Sequence, residues 1–200
     1  MLKQQPRWHS AGTFVAALVL VLVLLAPTSA AAQQDDSGVP TALDPCQLVT
    51  PSEAASLAGA VYASGTEVTN DSGSTMCIYG SQTVNVFEVL VAQAPDAATA
   101  QADWSDEEAN AQALLQSGPG LPPGVSVHFD LTDVLDLAGA DRAAVAQGGA
   151  SFAGRSISAS ACYLLKGATF IAFSDLQVGP SAPSSDAMKA QAATVLSRLP

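Results

Sequence analysis

Positive charge, histidine and cysteine are all scarce in this chain, and each scarcity removes a class of function. Seven of its 200 residues are lysine or arginine against 18 aspartates and glutamates, a net charge of −11. Nucleic-acid binding depends on cations that neutralise phosphates, so this balance argues against a polyphosphate partner. There are two histidines, His9 and His128, and no G-x-S-x-G elbow to present a nucleophile. No Gly-rich phosphate loop follows a strand-like run, and the D-x-[DN]-x-[DN]-G spacing of a calcium loop is absent. The sequence therefore assigns no catalytic, cofactor-binding or metal-binding residue. Past the N-terminal region, no apolar stretch approaches the roughly 20 residues that span a bilayer.

The N-terminal region reads as an export signal. Lys3 and Arg7 precede an apolar run from Phe14 to Ala26, followed by Pro27 and the small residues Thr28 to Ala32. Cleavage after Ala30 or Ala32 fits this pattern; the alternative is an uncleaved anchor over residues 1–32, the one part of the chain expected to contact a membrane. Removing residues 1–32 takes away Lys3 and Arg7 but no carboxylate, which moves the net charge from −11 to −13. Residues 33–41, containing QQDDSGVP, read as a polar, disordered linker. Residues 42–200 are long enough for one domain with its own core.

That domain opens on Asp44-Pro45-Cys46-Gln47-Leu48-Val49-Thr50-Pro51-Ser52-Glu53. Thr50 is placed as a helix N-cap, Pro51 at the first helical position and Glu53 where its side chain reaches back to the Thr50 amide. The helix should end at Gly59. A β-like run from Ala60 to Val68 follows, then a hairpin of Cys77–Gly80 with Thr83–Ala92. The second strand of that hairpin is apolar on both faces, through Val84, Val86 and Leu90 and through Phe87, Val89 and Val91, which makes it the candidate for the sheet centre. A helix opens at Pro95 and Asp96 and runs to about Gln116, with Ala97, Ala100, Trp104, Ala111 and Leu115 at helical spacing. Its acidic residues Asp103, Asp106, Glu107 and Glu108 read as a wet face.

GPGLPPG at 118–124 ends that helix. Val125–Phe129 alternates as a half-buried strand with His128 on its polar side, and Ala143–Ala146 forms a short strand. Ser156–Lys166 and Ala168–Phe173 form a second hairpin, and a helix closes the chain from Asp186 to Leu199. Each hairpin leads into D-A-x-x-A-Q-A, at Asp96 and at Asp186, so the domain is either two ββα halves or a chance likeness of alanine-rich helix starts. The fold class is α+β: an antiparallel sheet of two hairpins and flanking strands, packed by three helices.

The segment Asp44–Ala54, then Cys77-Ile78-Tyr79, Gly139-Ala140-Asp141-Arg142-Ala143 and the Lys166-Gly167 turn before a C-terminal helix resemble actinobacterial exported proteins catalogued as domain of unknown function 3558. The resemblance covers nearly the whole mature chain. It implies a cell-envelope location and a disulfide between Cys46 and Cys77, and no activity. Two features differ: no lipid-attachment cysteine follows the apolar run, and Tyr79 stands where a tryptophan is common. From the residues alone an exported chain with cysteines supports a disulfide, but pairings through Cys162 stay open. Cys162 is then either a small core residue or a reactive thiol.

Within this frame the expected function is non-catalytic. The chain reads as an envelope protein that binds another envelope protein or a small ligand through a face of its sheet, without a cofactor. Two alternatives are an envelope hydrolase using His128 and a membrane-tethered subunit of a larger complex. The cluster Asp130, Asp133, Asp136 and Asp141 reads as a solvated loop rather than a metal site.

Overall fold

The computed structural model of the chain describes residues 43–59, 62, 64–69, 73–80, 85–117, 125–134, 136–152, 154–179 and 181–200, without the side chains of 110–117, 125 and 152. Among these are helices α1 (Pro45–Leu48), α2 (Pro51–Ala58), α3 (Ala97–Ser117) and α4 (Ser185–Ser197). The strands are β1 (Thr66–Thr69), β2 (Thr75–Gly80), β3 (Val86–Gln93), β4 (Val125–Asp133), β5 (Arg142–Phe152), β6 (Arg155–Lys166) and β7 (Thr169–Val178). They form one antiparallel sheet in the order β1-β2-β3-β7-β6-β5-β4, an α+β fold whose sheet is not closed into a barrel.

Side chains alternate across a strand, so the register defines two faces. The front face carries Cys77 and Tyr79 of β2, Phe87 and Val89 of β3, Phe173 of β7, Cys162 of β6 and Val145 of β5, and packs against Leu48, Ala54 and the α4 residues Met188, Ala192 and Val195. Phe87 sits at its middle, with the rings of Tyr62, Tyr79 and Phe173 centred 6.1, 6.0 and 6.5 Å away. The back face carries Tyr163, Leu165, Phe170 and Ala144, on which α3 lays Ala100 and Trp104. Arg142 holds that helix down: its guanidinium meets Glu108 at 2.8 Å and lies 5.5 Å from the centre of the Trp104 ring.

Helix α2 starts where the sequence says it should. The Thr50 hydroxyl accepts from the Glu53 amide at 3.3 Å, and the Glu53 carboxylate accepts from the Thr50 amide at 2.8 Å, a reciprocal capping box. Gly59 then ends α2 at φ 68°, a left-handed conformation that costs glycine nothing. Arg198, at the end of α4, donates to both Glu53 oxygens and, at 2.6 Å, to the Leu48 carbonyl. The beginning and end of the domain are thereby joined. With Arg198 beside it, Glu53 is held down to about 2.

Cys46 in α1 and Cys77 in β2 are joined, with 2.00 Å between sulfurs and 5.2 Å between Cα atoms. A bond closing a loop of this length stabilises by about 3 to 4 kcal/mol on the chain-entropy account, a large share of a net stability of about 5 to 15. Two residues further along β2, the Tyr79 hydroxyl donates to the Val49 carbonyl, which exits α1. Gly65 makes room for both: a Cβ there would come 2.2 Å from the Cys77 sulfur and 2.8 Å from the Tyr79 ring. Cys162 is buried and unpaired. Burial pushes its thiol up to about 12, so it packs as a small apolar group.

Several elements differ from the sequence expectation. The centre of the sheet is β7 and not β3, because β7 is also covered on both faces, by Ile171 and Phe173 in front and Phe170 and Ala172 behind. β5 runs eleven residues, well beyond Ala143–Ala146, since the glycines at 148 and 149 continue the ladder. There is a fourth helix, the single turn α1, capped by Asp44 accepting from the Cys46 amide at 2.8 Å. Both halves do run hairpin, loop, helix, but α3 lies behind the sheet and α4 in front. The rotation that carries β2-β3 onto β6-β7 keeps the faces fixed, so it cannot superpose the two helices. The signal, the linker and GPGLPPG lie outside the described residues, as do the side chains of Ala111 and Leu115.

Peptide mapping without reduction should return Cys46 linked to Cys77, with Cys162 alkylated only after unfolding. Rapid native alkylation of Cys162, or a bridge from it to either partner, would contradict this arrangement.

Candidate functional site

The front face is not apolar throughout. Reading across the strands in register, Val89, Phe173, Cys162 and Val145 form one row of apolar side chains. The next row on that face is Phe87, Asp175, Ser160, Gln147 and Asp130. The one after it is Gln177, Ser158, Gly149 and His128. A helix-covered face thus turns polar over its last third.

Its inner end is a closed hydrogen-bond network. Asp175 is 0 % exposed; its Oδ1 accepts from the Tyr62 hydroxyl and its Oδ2 from Gln177 Nε2, each at 2.7 Å. Gln177 Nε2 also donates to the Ala58 carbonyl at 2.6 Å, at the last residue of α2. Burial raises the Asp175 carboxyl above the ordinary aspartate range, against the two donors that favour its ionised form. The Tyr62 phenol is raised in turn, by burial first and then by Asp175.

The middle of the site meets the start of α4. Gln147 Nε2 donates to the Pro183 carbonyl at 3.0 Å, and its Oε1 accepts from the Ser185 hydroxyl at 2.9 Å. Between Gln147 and Asp175 lies Ser160, 1 % exposed, whose hydroxyl meets no hydrogen-bond partner among the described residues. A buried hydroxyl left unpartnered costs on the order of 1 to 3 kcal/mol, so such a group needs an explanation. At the outer end His128 and Asp130 are exposed. The imidazole folds inward over Gly149, where a Cβ would come 2.7 Å from its Cε1 atom.

The inner and middle groups are two amides, hydroxyls, a phenol and a carboxyl shifted toward its neutral form, all of them hydrogen-bonding groups, with the His128 imidazole and the Asp130 carboxylate at the outer end. Asp175 stands three strands from His128, roughly 14 Å at ordinary strand spacing, and its oxygens are taken by Tyr62 and Gln177. No carboxylate orients the imidazole from that side. The structure also leaves Cys162 two strands and two rows from His128, under α4.

The acidic cluster is dispersed in the same way. Asp130 faces front and Asp133 back on β4, while Asp141 Oδ2 accepts from the Gly167 amide at 2.6 Å and closes the β6-β7 turn. Among the described residues one group of three has metal-ligand spacing, Asp44, Cys46 and Glu67, and its sulfur is committed to the disulfide. No protein-family model matches the chain, and no curated protein is recognisably similar to it.

Of the residues named from sequence, Cys46, Cys77, Thr50 and Glu53 lie together at the α1-α2 end of the front face, away from this polar third. Tyr62, Gln147, Ser160, Asp175 and Gln177 were not singled out. The available signal was the continuation of β7 past Phe173, where Asp175 and Gln177 alternate with Leu176 and Val178.

Because its folded-state affinity for a proton is raised, Asp175 contributes stability below the ordinary aspartate range that is lost as pH rises through the raised value. Glu53, shifted down to about 2, does the opposite on the acid side. Urea midpoints over roughly pH 3 to 8 should therefore show a fall on the alkaline side of the Asp range that Asp175→Asn abolishes, so that the gap in stability between the two proteins narrows as pH rises. A parallel offset between the two proteins at every pH would contradict the buried-carboxyl assignment.

Proposed function

We infer that this chain is an exported, non-catalytic binding module of the cell envelope that takes a small neutral polar ligand at the polar third of its front face. The observation that carries this reading is the Ser160 hydroxyl, buried and unpartnered between the Asp175 and Gln147 side chains. A ligand group would supply the missing bond. The composition of the site supports a neutral ligand. Ser160 can both donate and accept, no lysine or arginine stands in the two polar rows to favour an anion, and of their two carboxyls Asp175 has a raised affinity for its proton, which weakens its appeal to a cation, while Asp130 stands at the exposed outer end. Hydroxyl-rich and amide-bearing molecules such as amino-sugar derivatives match that pattern. Export is supported by the charged and apolar N-terminal run, by the disulfide, which suits an oxidising compartment, and by the resemblance to envelope proteins.

Titration of the mature chain with N-acetylglucosamine and its short oligomers, followed by NMR, tests the reading. Amide shifts should cluster on Gln147, Ser160 and Asp175, and Ser160→Ala should fold normally while weakening binding by about tenfold, the worth of one buried hydrogen bond. Shifts confined to other surfaces, or an unchanged affinity in Ser160→Ala, would contradict it.

A further inference from the structure

The two edges of the sheet are treated differently. β1 ends one side with four residues, too short to template much pairing. β4 ends the other with nine residues that pair one-to-one with β5, from Val125 opposite Phe152 to Asp133 opposite Ala144, without a bulge. Open edges are commonly defended by lysine, proline, bulges or inward charges; β4 has no lysine, proline or bulge, and its charges, Asp130 on the front face and Asp133 on the back, are both exposed. Among the described residues no strand lies beyond it.

Its side chains leave the edge accessible. His128 folds over Gly149 in front, and Phe129 folds over Gly148 behind, where a Cβ would come 3.0 Å from the Phe129 ring. Both rings lean toward β5 and away from the free side. The paired glycines make this possible, since a Cβ at 148 would meet the His128 carbonyl oxygen at 2.8 Å as well as the Phe129 ring, and one at 149 the Ile157 carbonyl oxygen at 2.8 Å as well as the imidazole. What remains along the free edge is main chain, flanked by the exposed Asp130 and Asp133, with exposed Asp136 just beyond.

We propose that β4 is a docking edge for an extended, lysine- or arginine-bearing segment of another protein, which adds to the sheet as an eighth strand. Main-chain hydrogen bonds hold such a segment, and its charges select it. The carboxylates of β4 face a strand with cations at the matching positions, whereas a second copy of a chain carrying −11 is repelled. The proposal rests on the free strand edge and shares only Asp130 with the polar third.

A nine-residue peptide alternating lysine and valine is the probe, and a control of equal charge carries proline at alternate positions so that it cannot form a ladder. Added to the mature chain, the first peptide should slow amide hydrogen exchange within Val125–Asp133, and the control should not. The double variant Asp130→Lys, Asp133→Lys alters exposed side chains only, and it should weaken binding by about tenfold or more at low salt, with unchanged thermal unfolding. Equal binding of the proline control, protection located outside β4, unchanged affinity in the double variant, or protection of β4 by self-association without peptide would each overturn the proposal.

Discussion

The front of this molecule depends on keeping one carboxyl group out of water. Asp175 sits in the central strand, 0 % exposed, on the face that packs the helices. A carboxyl there is tolerable only if its oxygens are hydrogen-bonded, and the two donors come from different parts of the chain. Gln177 supplies one from the same strand and uses the same nitrogen to hold the Ala58 carbonyl at the end of α2. Tyr62 supplies the other, from the segment between α2 and β1, and its ring completes the aromatic packing around Phe87. The Asp175 network thus fixes the exit of α2 while the disulfide, Tyr79 and Arg198 fix its entry.

That division of labour explains why the face changes character along its length. Where α1, α2 and α4 press directly on the strands, Val89, Phe173, Cys162 and Val145 meet apolar partners, and burial is favourable at roughly 25 cal/mol per Å². One row further, α4 has begun with its Ser184 cap, whose side chain accepts from the Ala187 amide at 3.3 Å. The start of a helix brings polar backbone to the sheet, and Gln147 answers it from β5. Ser160 lies between these two networks and belongs to neither, which is why it is the most informative single atom group on this face.

Much of the fold was legible in the sequence and little of the site was. The capping residues Thr50 and Glu53, the glycine at the end of α2 and the alternation from Ser156 to Lys166 are local features, determined by neighbours within a few residues. The polar third is not local. It arises because β5, β6 and β7, separated in sequence, bring Gln147, Ser160 and Asp175 into one row, and only the register of three strands reveals that. Gly148 and Gly149 were illegible for the same reason, since their role is set by the His128 and Phe129 rings on the facing strand. The placement of α3 and α4 on opposite faces also escapes any reading of the matching D-A-x-x-A-Q-A starts, because helix side depends on the crossover and not on the helix.

The central claim is that Tyr62 and Asp175 act as one unit within the network through which Gln177 secures the end of α2 to the sheet. A double-mutant cycle with Tyr62→Phe and Asp175→Asn, read by urea unfolding, measures that directly. The account predicts a coupling of about 1 to 3 kcal/mol, as expected for a hydrogen bond to a buried carboxyl. Additive losses, with coupling within about 0.5 kcal/mol of zero, would contradict it.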